Sequence, residues 1–451
     1  MIIWGAWLLG EATREITLFA AMGILIGALD DVAIDLLWMT RTLWRRLTVY
    51  RRYARTTAAT LPPPEQPGRI AIFVAAWQES DVIERMLRAA LARIAHDDYR
   101  IYVGTYPNDP ATIAAVQAVS DPRIRLVTGD RPGPTTKAEC LNRIWAALQR
   151  DELSAGARCK AIVIHDAEDV VHPQELLLFD TLIERFDLIQ LPVLPLVDRG
   201  SRWVSGHYVD EFAVSHGRQL AVREALGAGI PLAGVGCAIG RDALGRMARA
   251  TGGRPFDETS LTEDYEMGLR LQAFGGRAAF VAMPAAPGEG PVATRAYFPA
   301  TFEAAIRQKT RWILGIAFAG WDRLGWHGGV AERWMRTRDR RSVLAALVIA
   351  AAYVAVLLAG LCEILGIAPS WPAWAGPLLV ANLLLLCWRL LVRFTTVTHF
   401  YGWREGCRAV PRLVIANFIL MAAARRAFFT YTPGTVPAWD KTAHHFPEQV
   451  A

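Results

Sequence analysis

From Val343 to Cys362 the chain carries no charge, and just before that stretch stand Arg336, Arg338, Arg340 and Arg341. About 20 apolar residues are what a helix needs to cross the hydrocarbon of a bilayer, and arginines collect at the cytoplasmic ends of such crossings. A chain holding this segment has to fold partly in lipid. A second apolar segment covers 374–388 and ends at Arg389 or Arg393. The connection between the two, EILGIAPSWPAW, has Glu363 as its one charge, as a short extracytoplasmic loop would. Residues 334–396 are therefore expected to form a transmembrane hairpin. A third run, LVIANFILMAAA at 413–424, lies between Arg408 and Arg412 on one side and Arg425 and Arg426 on the other. It is too short to span, so an interfacial helix is expected there, within a segment 397–451 that also holds the tail.

The amino-terminal part reads the same way. Residues 16–29, ITLFAAMGILIGAL, are uncharged, and Arg41, Arg45, Arg46, Arg51, Arg52 and Arg55 come after them. No small-residue cleavage pattern accompanies them, so residues 1–60 are expected to be a retained anchor with its basic flank, and the chain beyond residue 60 is expected in the cytoplasm. Asp30, Asp31 and Asp35 read as interfacial capping residues just past the hydrocarbon. A hydrophobic share of 53% fits a membrane protein. The formal charge of +6 does not argue for nucleic acid, because the basic residues sit beside apolar runs and are not interleaved with aromatics. The six cysteines are scattered, without zinc spacing or a disulfide framework, and are expected to be free thiols.

A proline-rich linker, LPPPEQPG at 61–68, opens a soluble stretch expected to run over 69–333. Within it IAIFVAA (70–76), RIYVGTY (100–106), IRLVTG (124–129) and AIVIHDA (161–167) are short β-branched runs with helix-like segments between. That alternation predicts an α/β domain with a mostly parallel sheet covered on both faces.

Four constellations in this stretch carry chemistry. In IVIHDAEDVVHP (162–173) an apolar strand ends abruptly in Asp166, Glu168 and Asp169, at the sheet edge where open α/β folds bind ligands. Asp166 and Glu168 can aim oxygens at one hard cation beside a diphosphate; a solvated turn is the competing reading. In SLTEDYEMGLRLQAFG (260–275) Glu263 and Asp264 open an amphipathic helix, a place that capping by Thr262 and the helix dipole also explain. In RQKTRW (307–312) Gln308, Arg311 and Trp312 share one helix face, fit for a pyrophosphate and a ring, or for anchoring at a membrane surface. In TTKAECLN (135–142) Lys137 starts a helix and can touch phosphate or stand on the surface.

Together, in this order, the four resemble the processive branch of glycosyltransferase family 2, the group that includes cellulose and hyaluronan synthases. A Lys-Ala-x-x-Leu-Asn segment is matched by Lys137, Ala138, Leu141 and Asn142, and the Asp-x-Asp metal motif by Asp166, Ala167 and Glu168. The Thr-Glu-Asp base motif is matched by Thr262, Glu263 and Asp264, and Gln-x-x-Arg-Trp by Gln308, Arg311 and Trp312. VGTYPNDPAT (103–112), HDAEDVVHP (165–173), TRAYFP (294–299) and the tail WDKTAHHFP (439–447) are similar to the bacteriophage adsorption protein B group of bacterial inner-membrane glycosyltransferases, over almost the whole chain.

The resemblance implies a Rossmann-like GT-A fold, a nucleotide-diphosphate sugar donor such as a UDP-sugar, Mg²⁺ or Mn²⁺, and inversion at the anomeric carbon. It implies Asp264 as base beside Glu263, with Gln308, Arg311 and Trp312 in the catalytic set. Donor contacts fall to Asp109, Lys137, Asp166 and Arg311, and the metal to Asp166, Glu168 and Asp169. Two departures stand out: only Asp109 replaces the family's aspartate pair after the second strand, and the metal motif's second acid is a glutamate. GVGCAIGRDAL (234–244) resembles the acceptor-binding loop, with Cys237 read as packing; His216, with Gly217 and Arg218, reads either as lining the acceptor path or as a core or surface histidine. A cyclic-dinucleotide-binding domain carried by larger members of the group is not expected in a chain ending at Ala451. The expected product is an exopolysaccharide handed towards an outer-membrane partner. The alternatives are a non-processive transferase to a polyprenyl-linked acceptor, or a membrane scaffold or phage-docking component.

Overall fold

The computed structural model describes residues 2–432 and 444–447. The amino-terminal apolar run is the middle of one long helix, α1 (Ile2–Leu47), followed by the single turn α2 (Val49–Arg52). Past the linker come β1 (Ile70–Ala75), α3 (Ile83–Arg93), β2 (Tyr99–Thr105), α4 (Pro110–Gln117), β3 (Ile124–Thr128), α5 (Lys137–Ala155) and β4 (Ala161–His165). All four sequence-predicted strands are present. They pair in parallel in the order β3-β2-β1-β4, because each is joined to the next by a helix that returns the chain to the same edge.

The second half of the domain adds α6 (Glu175–Leu182), β5 (Leu188–Gln190), α7 (Val204–Val214), α8 (Leu220–Ala225), β6 (Cys237–Gly240), α9 (Arg241–Ala250), α10 (Glu263–Ala273) and β7 (Ala278–Phe280). Three short strands extend the sheet to seven, β3-β2-β1-β4-β6-β5-β7, with β6 antiparallel to both neighbours. Reversal of β6 brings its amino-terminal end to the edge where β1 and β4 finish. Every residue of β1 and β4 is buried, so these strands read as continuous apolar runs and not as alternations. One core lies between the sheet and α3 and α6, and a second between the sheet and α5, α9 and α10.

The carboxyl-terminal part consists of α11 (Phe302–Ile313), α12 (Ala319–Leu324), α13 (Val330–Arg340), α14 (Ser342–Ile364), α15 (Ala375–Tyr401) and α16 (Trp403–Tyr431). Helices α1, α14, α15 and α16 are long and apolar enough to cross a membrane. Val356, Leu357, Leu383 and Leu384 are exposed along α14 and α15, a surface that water would penalise and lipid would not. Helix α15 runs past the expected hairpin end at residue 396. The run 413–424 is the interior of α16, 29 residues long, so shortness no longer argues for a surface position. Of the tail 439–447, residues 439–443 lie outside the described residues.

Asp30, Asp31 and Asp35 are not caps, because α1 continues twelve residues beyond Asp35 to Leu47. They tie α1 to its neighbours. Asp30 and Asp31 pair with Arg338 and Arg341, and Asp31 also pairs with Arg389. The indoles of Trp334 and Trp388 donate to Asp30 at 2.6 Å and to Asp35 at 3.0 Å. Carboxylates in the middle of a helix are tolerated here because each meets a cation or a donor from another segment.

Candidate active site

The segments just past the carboxyl end of β4 and just before the amino-terminal end of β6 border a cavity of about 610 Å³. Strand β4 delivers Asp166, Glu168 and Asp169 to it through a turn held from beneath. One oxygen of Asp169 accepts the Asp166 N–H at 2.9 Å and also lies 3.0 Å from His165 Nδ1. The other ring nitrogen of His165 is 2.6 Å from Glu175 Oε1, and Thr294 donates to the second oxygen of Glu175 at 3.3 Å. Burial opposes charge on His165, but Glu175 and Asp169 overcome it and push the imidazole up to about 10. It is an imidazolium donating on both sides. Asp169, expected as a metal ligand, thus spends one oxygen on shaping the turn, while its carboxylate still borders the cavity.

Lys137 opens α5 beside Thr136, whose hydroxyl accepts the Glu139 N–H and caps the helix. The ammonium lies 2.5 Å from Asp166. Burial works against its charge, yet Asp166, Glu263 and Asp264 hold it well above the ordinary lysine range; Lys137 in turn keeps Asp166 low against the same burial. A surface role for Lys137 is excluded by that setting.

Glu263 and Asp264 do not merely dress a helix start. Thr262 makes no side-chain cap bond, and its buried hydroxyl has no partner. Glu263 is buried and is pushed up to about 7 by that burial and by Asp264 beside it; burial likewise raises Asp264. Gly234, with φ +78°, brings its backbone so close that a Cβ there would lie 2.5 Å from Asp264 Oδ2. From the opposite wall α11 presents Gln308, Arg311 and Trp312 to the cavity and not to a membrane surface. Trp312 meets Tyr208 edge-on at 6.0 Å.

Asp109 stands behind this group. Its carboxylate caps α4 through the Thr112 N–H and accepts the Gln78 N–H at 2.6 Å, and it does not line the cavity. Gln78 needs that anchor because it holds a positive φ of 55° without being glycine. In the 234–244 segment only the first residues form a loop, and Cys237 is packed in the core as expected.

Sequence reasoning missed Glu79 and His444. Nδ1 of His444 lies 2.9 Å from Glu79 Oε1 and 3.3 Å from Glu168 Oε2, and the donor atoms of the three fall within 4.8 Å of one another. Glu168 Oε2 is buried without a hydrogen bond, despite its proximity to His444. Burial and the carboxylates of Asp166, Asp169 and Glu79 push Glu168 up to about 8. Glu79 lies just past the end of β1, where the ligand-edge rule for open sheets could have found it. His444 belongs to no helix or strand pattern, and its signal is its place in the tail WDKTAHHFP, which carries part of the family resemblance without assigning that histidine a role.

Residues 67–315 match the family described as Glycosyltransferase like family 2. The chain is 37% identical to bacteriophage adsorption protein B of Escherichia coli (strain K12), and equally to bacteriophage N4 adsorption protein B of Escherichia coli O157:H7. Each alignment covers 99% of this chain and 63% of the relative, so the chain spans about 63% of the length of these curated proteins. Among solved structures, a mannosyltransferase from Pyrobaculum calidifontis in complex with GDP-Man and Mn²⁺ superposes with a TM-score of 0.55 at 16% identity. That superposition covers 92% of this chain and 99% of the other.

Proposed function

The chain belongs to glycosyltransferase-like family 2, and from that premise we propose that it is an inverting, membrane-embedded transferase moving sugar from a nucleotide-diphosphate donor to a growing exopolysaccharide. The observation that carries this reading is a single cavity in which Lys137, Asp166, Glu168, Arg311 and Asp264 all line the wall. In it, Lys137 and Arg311 hold the donor's diphosphate, and Trp312 packs against the sugar or the acceptor. An acceptor hydroxyl gives its proton to Asp264 while its oxygen forms the new bond to the anomeric carbon. The bond from that carbon to the diphosphate breaks on the opposite side, so the nucleoside diphosphate departs and configuration inverts.

A divalent cation fits the residues present. Glu168 offers a buried oxygen without a hydrogen bond, and Glu79 and His444 bring an oxygen and a nitrogen donor within 4.8 Å of it, a mixed set that suits Mn²⁺ better than Mg²⁺, while Asp166 lines the same cavity. When bound, such an ion neutralises charge on the departing diphosphate. The Mn²⁺ in the Pyrobaculum calidifontis structure supports the same choice.

Arginines at the domain-side ends of α1 and α14 support a cytoplasmic catalytic domain at a bacterial inner membrane, and export through an outer-membrane partner goes with that placement. A phage-docking role rests on the relatives' name and does not need the cavity. The test is turnover by the purified full chain in detergent, using UDP-glucose, UDP-N-acetylglucosamine and GDP-mannose, with products sized. One donor should release its nucleoside diphosphate and build a ladder, and excess EDTA should stop it. Binding of no donor, or full turnover in EDTA, would overturn the assignment.

His165 touches no substrate, and it acts by holding Asp169 and through it the turn that aims Asp166 and Glu168. His165→Asn is expected to raise the Mn²⁺ concentration for half-maximal turnover by about 10–100-fold, with far less effect at saturating Mn²⁺. An unchanged Mn²⁺ titration would remove that role.

A further inference from the structure

The first turn of α10 carries the proposed base but lacks the usual fastening of a helix start. Thr262 makes no side-chain cap bond, so the placement of Glu263 and Asp264 has to be fixed from outside the helix. Two side chains of that turn reach neighbouring elements. Glu266 accepts the Ser260 hydroxyl at 2.6 Å and the Arg323 guanidinium of α12 at 2.9 Å. Tyr265, buried and next in the chain to Asp264, donates its hydroxyl to Asp339 Oδ2 at 2.7 Å. Its N–H donates to Asp264 Oδ1, also at 2.7 Å. A displacement of Tyr265 is therefore passed to the base carboxylate within one residue. Burial and Asp339 hold the Tyr265 phenol far above its ordinary range, so it keeps its proton and remains a donor.

Asp339 stands near the end of α13, and that end is itself held. Arg223 of α8 donates to both oxygens of Asp339 at 2.8 Å. Arg338 and Arg341 on either side pair with Asp30 and Asp31 of α1. Arg336 and Arg340 are buried; the first donates to the Leu324 carbonyl at 2.7 Å, and the second lies over the rings of Trp321 and Trp326. By sequence these arginines read as the basic flank of a membrane crossing. In the fold they turn inward and make the end of α13 a fixed point. Asp264, Tyr265, Arg223 and Asp339 border a second cavity, of about 370 Å³, while Asp264 lines the first cavity as well.

We propose that Asp339 is a positioning residue for sugar transfer: through the Tyr265 hydroxyl it holds the start of α10 so that Asp264 faces the acceptor's hydroxyl. This rests on the transferase reading above. Misplacing a reacting group by about 1 Å can cost about 10²-fold in rate. The donor contacts at Lys137 and Arg311 lie on α5 and α11 and are left in place. Tyr265→Phe removes one oxygen and leaves the Arg223–Asp339 pair intact. In the full chain in detergent, with the donor it turns over, transfer per donor-binding site should fall by about 10–100-fold, while the donor concentration for half-maximal rate stays within about twofold. Release of free sugar, in which a mobile water replaces the acceptor's hydroxyl, should fall much less, so the ratio of transfer to hydrolysis drops. Loss of folded protein would lower both alike. Asp339→Asn keeps an acceptor oxygen for the phenol and should retain more transfer than Asp339→Leu. Either change should add little in the Tyr265→Phe background, because two residues that act through one contact are not additive. A parent-like ratio of transfer to hydrolysis in Tyr265→Phe, or losses from Asp339→Leu that add in full to those of Tyr265→Phe, would overturn the proposal with donor turnover intact. Absence of turnover by the parent chain with every donor would instead sink the transferase reading, and this proposal with it.

Discussion

Asp264→Asn is expected to lower glycosyl transfer by about 10²–10⁴-fold, the usual scale for a positioned base, because an amide cannot take the acceptor's proton. The change is nearly isosteric, and asparagine is about as good as aspartate near a helix start. The cost to stability is then a few tenths of a kcal/mol to about 1 kcal/mol. Donor affinity should persist, since Lys137, Asp166, Glu168 and Arg311 supply those contacts. Transfer rate and donor affinity measured on one folded preparation separate the roles. A variant that binds donor and transfers at close to the parent rate would leave Asp264 as a helix-start residue only. The geometry favours the larger effect, since Asp264 has no ion pair, is raised by burial, and lies between the two cavities.

The strands legible in the sequence are those whose apolar runs are long enough to be covered on both faces. β5 and β7 have three residues each and β6 four, too few to show a period, and they form only because β4 is already there to pair with β6. The four chemical constellations were legible because each is local: a strand end, a helix start, a helix face. Asp109 has a second role that is equally local. An aspartate before Pro110 at the first helical position, with Thr112 three residues on, is also an N-cap signature, and the structure uses it as one. What stayed hidden is pairing between distant segments. A charge in an apolar run reads as the end of the run unless its partner is known. For Asp30 and Asp31 the partners lie some 300 residues away, at Arg338 and Arg341.

Arg412 is the clearest case, and its replacement carries the largest expected cost in stability. By composition it ends the apolar run 413–424, yet it is fully buried inside α16. Its guanidinium lies 2.9 Å from Asp210 of α7 and 3.1 Å from Glu405, and it donates to the backbone carbonyl of Glu405 at 2.9 Å. The contact with Asp210 Oδ1 is a charge pair without hydrogen-bond alignment, whereas Arg393 of α15 donates to Asp210 Oδ2 at 3.0 Å. Gly206 makes room for it, since a Cβ there would lie 2.2 Å from Arg412 Nη1. Arg408 pairs with Glu405 as well, so the cluster joins the sheet domain to α15 and α16 with three arginines facing two carboxylates. Removing one partner of such a buried group leaves an uncompensated charge and costs about 3–5 kcal/mol. Arg412→Met should lower the melting temperature in detergent by several degrees, and adding Asp210→Asn should recover part of the loss by removing a buried carboxylate that has lost one of its two arginines. Burial already pushes Asp210 up to about 6 with both arginines present, and without Arg412 it rises further. A group whose folded pKa exceeds its unfolded value binds more protons when folded, so its stabilising share is lost as pH rises through the folded pKa. The deficit of Arg412→Met should accordingly be larger at pH 8 than at pH 5. Activity should fall with it, because α16 packs along α11, the helix that carries Gln308, Arg311 and Trp312. A variant melting with the parent at both pH values would show that the cluster does not hold the domain to its membrane helices.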